Sequence, residues 1–148
     1  MKSKLPSPQW LNLFIWLAVG LHFLLPVKRI VYPPYTNLGW PLIVLGVALN
    51  IWSVRLLRKR NTTADFHGTP RGLVTDGPFR ISRNPTYLSG VILLFGIAIL
   101  LGSLITFVFP IALILILNGL YIPVEEAELE ERFSTEYVEY KRKVRRWI

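Results

Sequence analysis

The stretch Gly77-Pro78-Phe79-Arg80-Ile81-Ser82-Arg83-Asn84-Pro85-Thr86-Tyr87-Leu88-Ser89-Gly90 puts two arginines and an Asn-Pro step at the entrance of a long uncharged run. Glu125-Glu126 stand at the exit of that run. Asn is favoured immediately before a helix, and Pro at its first position, where the N–H it lacks would have no partner. A helix is therefore expected from Thr86, capped by Asn84, with its free N–H groups beside Arg83. A positive helix end next to a guanidinium can hold a carboxylate or a phosphate. The plainer alternative is that Arg83 anchors lipid headgroups and Asn84 only caps.

If the run between them doubles back, Glu125 and Glu126 return to the side of Arg83. One of them could pair with Arg83 or Arg80, leaving the other for a cationic or hydroxyl-bearing ligand. Neighbouring helical residues point about 100° apart, so the two carboxylates cannot face one atom. Asn118 precedes Glu125 by seven residues and is expected on its face, although an amide inside an apolar helix often serves as helix–helix glue. His22 and Asn50 also fall within apolar blocks. As isolated polar residues they are left outside the site.

The elements that must position these groups follow from the distribution of apolar residues. The chain has 148 residues, 52% of them hydrophobic, and a mean hydropathy of +0.43. The apolar residues gather in three blocks, Trp10–Val27, Leu38–Leu57 and Thr86–Ile122. A bilayer crossing takes ~20 helical residues, so the first two blocks are each one crossing long. The third block has 37 uncharged residues, roughly 55 Å as a single helix. It is expected to fold as a hairpin bent near Gly102-Ser103.

The reading is an all-α integral membrane protein with four transmembrane helices and a cytoplasmic amphipathic C-terminal helix. It forms a single domain over 1–148, with spans at about 10–27, 38–57, 86–102 and 104–122, a loop at 58–85 and a tail at 123–148. The first block follows Lys2 and Lys4 but lacks a small-residue cleavage pattern, so it reads as an uncleaved anchor. Pro33-Pro34 read as a stiff turn in the short outer loop.

The net charge of +8 raises nucleic-acid binding, which its distribution argues against. Arg55, Arg58, Lys59, Arg60, Arg71, Arg80 and Arg83 lie between the second and third spans, and five more basic residues run from Lys141 to Arg146. The positive-inside rule places both regions, both termini and the site in the cytoplasm. Contact with anionic headgroups is a secondary role. The chain has no cysteine, which excludes disulfides, thiolate nucleophiles and zinc-thiolate sites.

Trp10, Trp40, Trp147, Tyr32, Tyr35 and Tyr121 fall near span ends and read as interfacial anchors. In the loop, Phe66, Leu73, Val74 and Phe79 give apolar contacts for an ordered cap, among turn signals at Thr69-Pro70, Gly72 and Asp76-Gly77-Pro78. Pro123 is expected to kink or restart the helix. Leu129, Phe133, Tyr137, Tyr140, Val144 and Trp147 recur on one face of a helix that begins acidic and ends basic.

Taken in order, Gly77-Pro78-Phe79-Arg80, Arg83-Asn84-Pro85-x-Tyr87, the hydrophobic hairpin, Glu125-Glu126-x-x-Leu129 and Phe133-x-x-x-Tyr137-x-x-Tyr140 resemble the isoprenylcysteine carboxyl methyltransferase family. The related phospholipid N-methyltransferases share the pattern. The resemblance covers the segment from Thr69 to Trp147. It implies an S-adenosylmethionine-dependent methyltransferase whose lipophilic substrate, a carboxylate such as a prenylated cysteine or a lipid headgroup, arrives from the bilayer.

By that resemblance Arg83 and Glu126 are the catalytic candidates. The cofactor would be held by Arg83, Asn84, Pro85, Tyr87, Gly90, Asn118, Glu125, Glu126, Tyr137 and Tyr140, with no metal. Asn84 stands where the family usually has His, which excludes an imidazole base there. Ser134 stands where Gly commonly follows the Phe.

A carboxylate acceptor needs no general base, and the chain offers few, which favours an already anionic acceptor. The expected location is a prokaryotic plasma membrane, with no nucleic-acid partner. Two alternatives remain, an NADPH-dependent sterol-reductase-like enzyme and a non-catalytic membrane scaffold or transporter subunit. The reductases carry a similar Arg-His-Pro-x-Tyr element but an Arg-Cys-x-x-Lys-Tyr-Gly-type tail that this chain lacks.

Overall fold

The computed structural model describes residues 10–25, 28–60 and 72–148, and no strand forms among them. Lys2, Lys4, Pro26, Phe66, Thr69-Pro70 and Arg71 lie outside the described residues. The helices are α1 (Trp10–Leu24), α2 (Gly39–Lys59), α3 (Pro85–Leu101), α4 (Val108–Ile116) and α5 (Ile122–Lys143). Short 3₁₀ turns at Tyr35–Leu38, Gly77–Arg80 and Leu104–Phe107 precede α2, α3 and α4, and a π-helical turn at Leu117–Tyr121 joins α4 to α5. Two stretches, Tyr35–Lys59 and Leu104–Lys143, are long and apolar enough to cross a membrane, while α1 and α3 are apolar but shorter.

The long uncharged run turns back at Gly102-Ser103. Gly102 closes α3 in the left-handed conformation at φ 71°, its N–H bonded to the Ala98 carbonyl. Only glycine takes that φ without strain. The Gly102 carbonyl then accepts the Ile30 and Val31 N–H groups at 2.8 and 3.1 Å, and Leu104 N–H reaches the Lys28 carbonyl at 3.1 Å. The α1–α2 connection is thereby pinned over the α3–α4 turn.

The core lies between α1, α3 and α4, where Phe14, Ala18, Val91, Leu94, Phe109, Leu113 and Leu117 are buried together. The Phe14 and Phe109 rings are 5.6 Å apart. α2 packs along α3 on small residues spaced by seven: Gly39, Gly46 and Ser53 on α2, Ser89 and Gly96 on α3. A Cβ on Gly46 would lie 2.8 Å from the Ser89 carbonyl oxygen and 2.9 Å from the Leu93 nitrogen. The two backbones touch, as small-residue seams allow in apolar surroundings. Asn50 adds a hydrogen bond from its amide nitrogen to Ser89 Oγ at 3.1 Å, acting as glue between helices. Outward-facing Trp16, Trp40, Val44, Ile51, Ile111 and Leu115 are exposed, as a surface solvated by lipid requires.

Of three expectations for the helix ends and the tail, one holds and two need correcting. Pro123 restarts the helix without a gap: α5 begins at Ile122 with Pro123 in its first turn, directly after the π turn. The strain of its missing N–H is taken up one turn earlier, where Ile122 N–H bonds back to the Leu117 carbonyl in the π turn. The second concerns the stripe from Leu129 to Trp147, which is not one straight face. Ser134 departs from helical geometry at φ 41°, ψ −114°, and the chain bends so sharply that Lys141 Nζ sits 2.8 Å from Glu130 Oε2. Eleven residues of straight helix would separate them by roughly 16 Å.

The third expectation, for the aromatics, holds only in part. Trp40, Tyr32 and Tyr35 are exposed as expected of anchors, but Tyr121 is buried and accepts a hydrogen bond from Trp10 Nε1 at 2.8 Å. Trp147 packs against the core. The π turn rotates Tyr121 inward, where its hydroxyl requires a partner.

Candidate active site

The described part of the loop folds onto the end of α2. Val74 and Pro78 are buried, Gly77 lies against Trp52 and Leu56, and Arg60 pairs with Asp76 at 2.7 Å. That guanidinium holds the Asp76 carboxyl below its usual value. The chain then enters α3 through Ser82, Arg83 and Asn84.

α3 begins at Pro85, one residue earlier than expected, with Asn84 just before it but making no side-chain cap. The Asn84 amide is engaged elsewhere, donating from Nδ2 to the Arg146 carbonyl at 3.1 Å. Ser82 Oγ donates to the same carbonyl at 3.2 Å and accepts the Asn84 N–H at 3.1 Å. Arg83 N–H donates to the Arg145 carbonyl at 3.0 Å. These bonds strap the last residues of the chain across the start of α3. Tyr140 fastens the tail a second time, its hydroxyl donating to the Phe79 carbonyl at 2.7 Å.

Glu126 is the centre of the cluster. Its Oε1 lies 3.0 Å from Arg83 Nη2 and accepts from Arg146 Nε at 3.2 Å, while Oε2 accepts from Arg146 Nη2 at 2.7 Å. The Arg83 and Glu126 side chains are only 9% and 10% exposed, so this pair has left water and depends on its partners. Arg80, the other candidate partner, is exposed. Asn118, presented by the π turn, accepts from Arg146 Nη1 at 3.4 Å and from Trp147 Nε1 at 3.2 Å.

Three buried polar atoms at this centre have no hydrogen-bond partner among the described residues: Arg83 Nε, Arg83 Nη1 and Glu125 Oε2. Buried polar groups are nearly always paired, and unpaired ones call for an explanation. Glu125 points away from Glu126 toward Tyr87. Burial pushes its carboxyl up to about 7, against the bonded Tyr87 hydroxyl and helped by Glu128 and Glu126. Tyr137 is fully buried, and that burial pushes its hydroxyl up to about 12. Its ring stands 6.2 Å from that of Tyr140.

The structure thus brings together Arg83, Asn84, Pro85, Tyr87, Asn118, Glu125, Glu126, Tyr137 and Tyr140 at one end of the helices. Gly90 does not join them. It sits a turn further along α3, where a Cβ would meet Leu11 of α1 at 3.4 Å, so its smallness serves helix packing. Sequence reasoning missed Ser82, Arg146 and Trp147. Arg146 looks like any other charge in a basic tail, and only the terminal Arg-Arg-Trp hinted at a partly apolar environment.

Two guanidinium N–H groups and one carboxylate oxygen, buried and unpaired, suit a ligand that carries both an anion and a cation. A model of the phospholipid methyltransferase family matches residues 35–136, a range that takes in α2, α3, α4 and both members of the Arg83–Glu126 pair. A protein from Haemophilus influenzae described as uncharacterized is 40% identical over 62 residues, which is 42% of this chain and 98% of that relative.

Proposed function

Because the chain belongs to the phospholipid methyltransferase family and is therefore a membrane methyltransferase, we propose that it transfers a methyl group from S-adenosylmethionine to a lipophilic substrate within the bilayer. The observation that carries this reading is the set of unpaired buried atoms around one ion pair, Arg83 Nε and Nη1 with Glu125 Oε2. S-adenosylmethionine, when bound, supplies an electrophilic methyl on a sulfonium. Its amino-acid end carries the two charges that these atoms would satisfy, the carboxylate at Arg83 and the ammonium at Glu125.

Glu126 holds Arg83 in place, and Tyr137 and Tyr140 wall the site against water. Asn84 fastens the strap and, unlike the imidazole usual in the family, takes no proton. Excluding water strengthens these charge interactions and limits competing hydrolysis. Positioning the reactants is the main remaining task.

The acceptor we favour is anionic, a carboxylate or a lipid headgroup, because an ionised acceptor needs no base. The second reading is a headgroup amine, and one observation favours it. In that reading Glu125 serves the acceptor and not the cofactor's ammonium: its carboxyl, raised to about 7 and with one buried oxygen that has no partner among the described residues, is able to take a proton near neutral pH. In this reading all four apolar segments span the membrane as one domain, α1 and α3 tilting little because they are short. The basic residues flanking α2 and α5 support a reading in which both termini and the site face the cytoplasm.

Calorimetry of the detergent-purified protein tests the reading. S-adenosylmethionine should bind and NADPH should not. Arg83→Ala should weaken binding at least tenfold, the scale of one charge-assisted hydrogen bond. A protein that folds but binds no S-adenosylmethionine would end the proposal. A screen of lipid extracts with labelled cofactor then separates carboxylate from amine acceptors.

A further inference from the structure

Arg146 lies two positions before Ile148, outside the matched family region at 35–136, yet it grips Glu126 more fully than Arg83 does. Its Nε and Nη2 hold Oε1 and Oε2 at 3.2 and 2.7 Å. Arg83 touches Glu126 through Nη2 alone, at 3.0 Å. A carboxylate and a guanidinium prefer the two-bond fork when nothing prevents it. Here the fork is taken by Arg146, and Arg83 keeps Nε and Nη1 unpaired in a buried position.

We propose that Arg146 is a positioning residue of the site: by occupying both oxygens of Glu126 it stops that carboxylate from closing a fork on Arg83, and so keeps two Arg83 N–H groups open for an anionic ligand group. The inference rests on the cofactor reading above, in which that group is the carboxylate of S-adenosylmethionine.

The side chain and the strap that carries it can be tested apart. The strap is held by its backbone, through the Arg145 carbonyl to Arg83 N–H and the Arg146 carbonyl to Ser82 Oγ and Asn84 Nδ2. Trp147 adds its own bond to Asn118. None of these bonds needs the Arg146 guanidinium. In Arg146→Ala the strap stays docked, Glu126 loses both bonds of its fork, and it turns onto Arg83.

A double-mutant cycle read by calorimetry with S-adenosylmethionine tests this. Arg146→Ala should weaken binding about tenfold in the wild-type background. In the Glu126→Gln background, where a neutral amide cannot capture Arg83, the same change should weaken binding by less than about twofold. Arg146→Lys keeps the charge but offers no planar fork. It should weaken binding about threefold beside Glu126 and leave it unchanged in the Glu126→Gln background, which carries the cycle if the alanine variant fails to fold.

Equal losses in both backgrounds, with wild-type binding intact, would mean that Arg146 only supports the strap, and would overturn this inference alone. Wild-type protein that binds no S-adenosylmethionine would overturn the cofactor reading and this inference with it.

Discussion

Replacing Ser134 by glycine should stabilise the protein by about 1 kcal/mol, a figure that follows from opposing effects at this residue. Ser134 holds φ 41° and ψ −114° within α5, a conformation in which an L side chain is strained by about 1–3 kcal/mol. Glycine removes that strain, but its freer unfolded chain costs about 0.5–1 kcal/mol. Ser134 is exposed, and no hydrogen bond of its side chain to the described residues sets a further loss against the change. The difference leaves about 1 kcal/mol, or about 2–4 °C in melting temperature for a chain of this size. The assay is thermal unfolding in detergent followed by tryptophan fluorescence, with Ser134→Ala as control. Alanine keeps the Cβ and with it the strain, so it should match the wild type within about 0.5 kcal/mol. A glycine variant less stable than the wild type, or an alanine variant that gains as much, would refute the reasoning. The bend would then have to be held by contacts such as Lys141–Glu130 in a backbone that is not strained.

Gly46→Ala should destabilise by about 1–3 kcal/mol, because its Cβ would stand 2.8 Å from the Ser89 carbonyl oxygen and backbone can yield only by parting α2 from α3; unchanged stability in the same melt would show that the seam is looser. The Glu125 carboxyl is raised from 4.5 to about 7, so the folded chain binds more protons than the unfolded one between those values. Stability should therefore fall as pH rises through that window, by about 3 kcal/mol at most. Glu125→Gln should flatten the profile, and a wild-type profile already flat between pH 4.5 and 7 would contradict the burial of this group.

Much of the frame is legible in the sequence itself. The return of Glu125-Glu126 to Arg83 follows from a run too long for one crossing with a glycine at its middle, because chain length and the need for a left-handed turn residue are local properties. Membership in a methyltransferase family is legible in the order of short motifs around that run. What fails is long-range. Asn84 has every local mark of a cap, but its amide is taken by the carbonyl of Arg146, sixty-two positions away. The aromatic stripe of α5 assumes an unbroken helix; serine by its own propensity does not break one, and the sign of a bend at Ser134 lies in the glycine common there in the resembled family. Trp10 and Tyr121 sit at span ends as anchors do, and only their mutual hydrogen bond shows them facing inward. Arg146 carries no local signal beyond the tryptophan beside it, since its role depends on which way Glu126 is held.

The π turn at Leu117–Tyr121 has a consequence for how this protein can change. A π turn is an α-helix holding one residue more than its pitch needs, and each residue advances a helix by about 100°. Deleting Gly119, exposed and without neighbours for a side chain, would let the helix close regularly and leave Glu126 facing Arg83, because the π turn already absorbs the surplus residue; what would be lost is the bulge that carries Asn118 and Tyr121. Glu125 and Glu126 would keep their direction after such a deletion, and Asn118 and Tyr121, which lie within the π turn, would not. The surplus residue is thus itself part of the machinery: it sets where Asn118 and Tyr121 point, while the helix beyond it carries Glu126 in regular register.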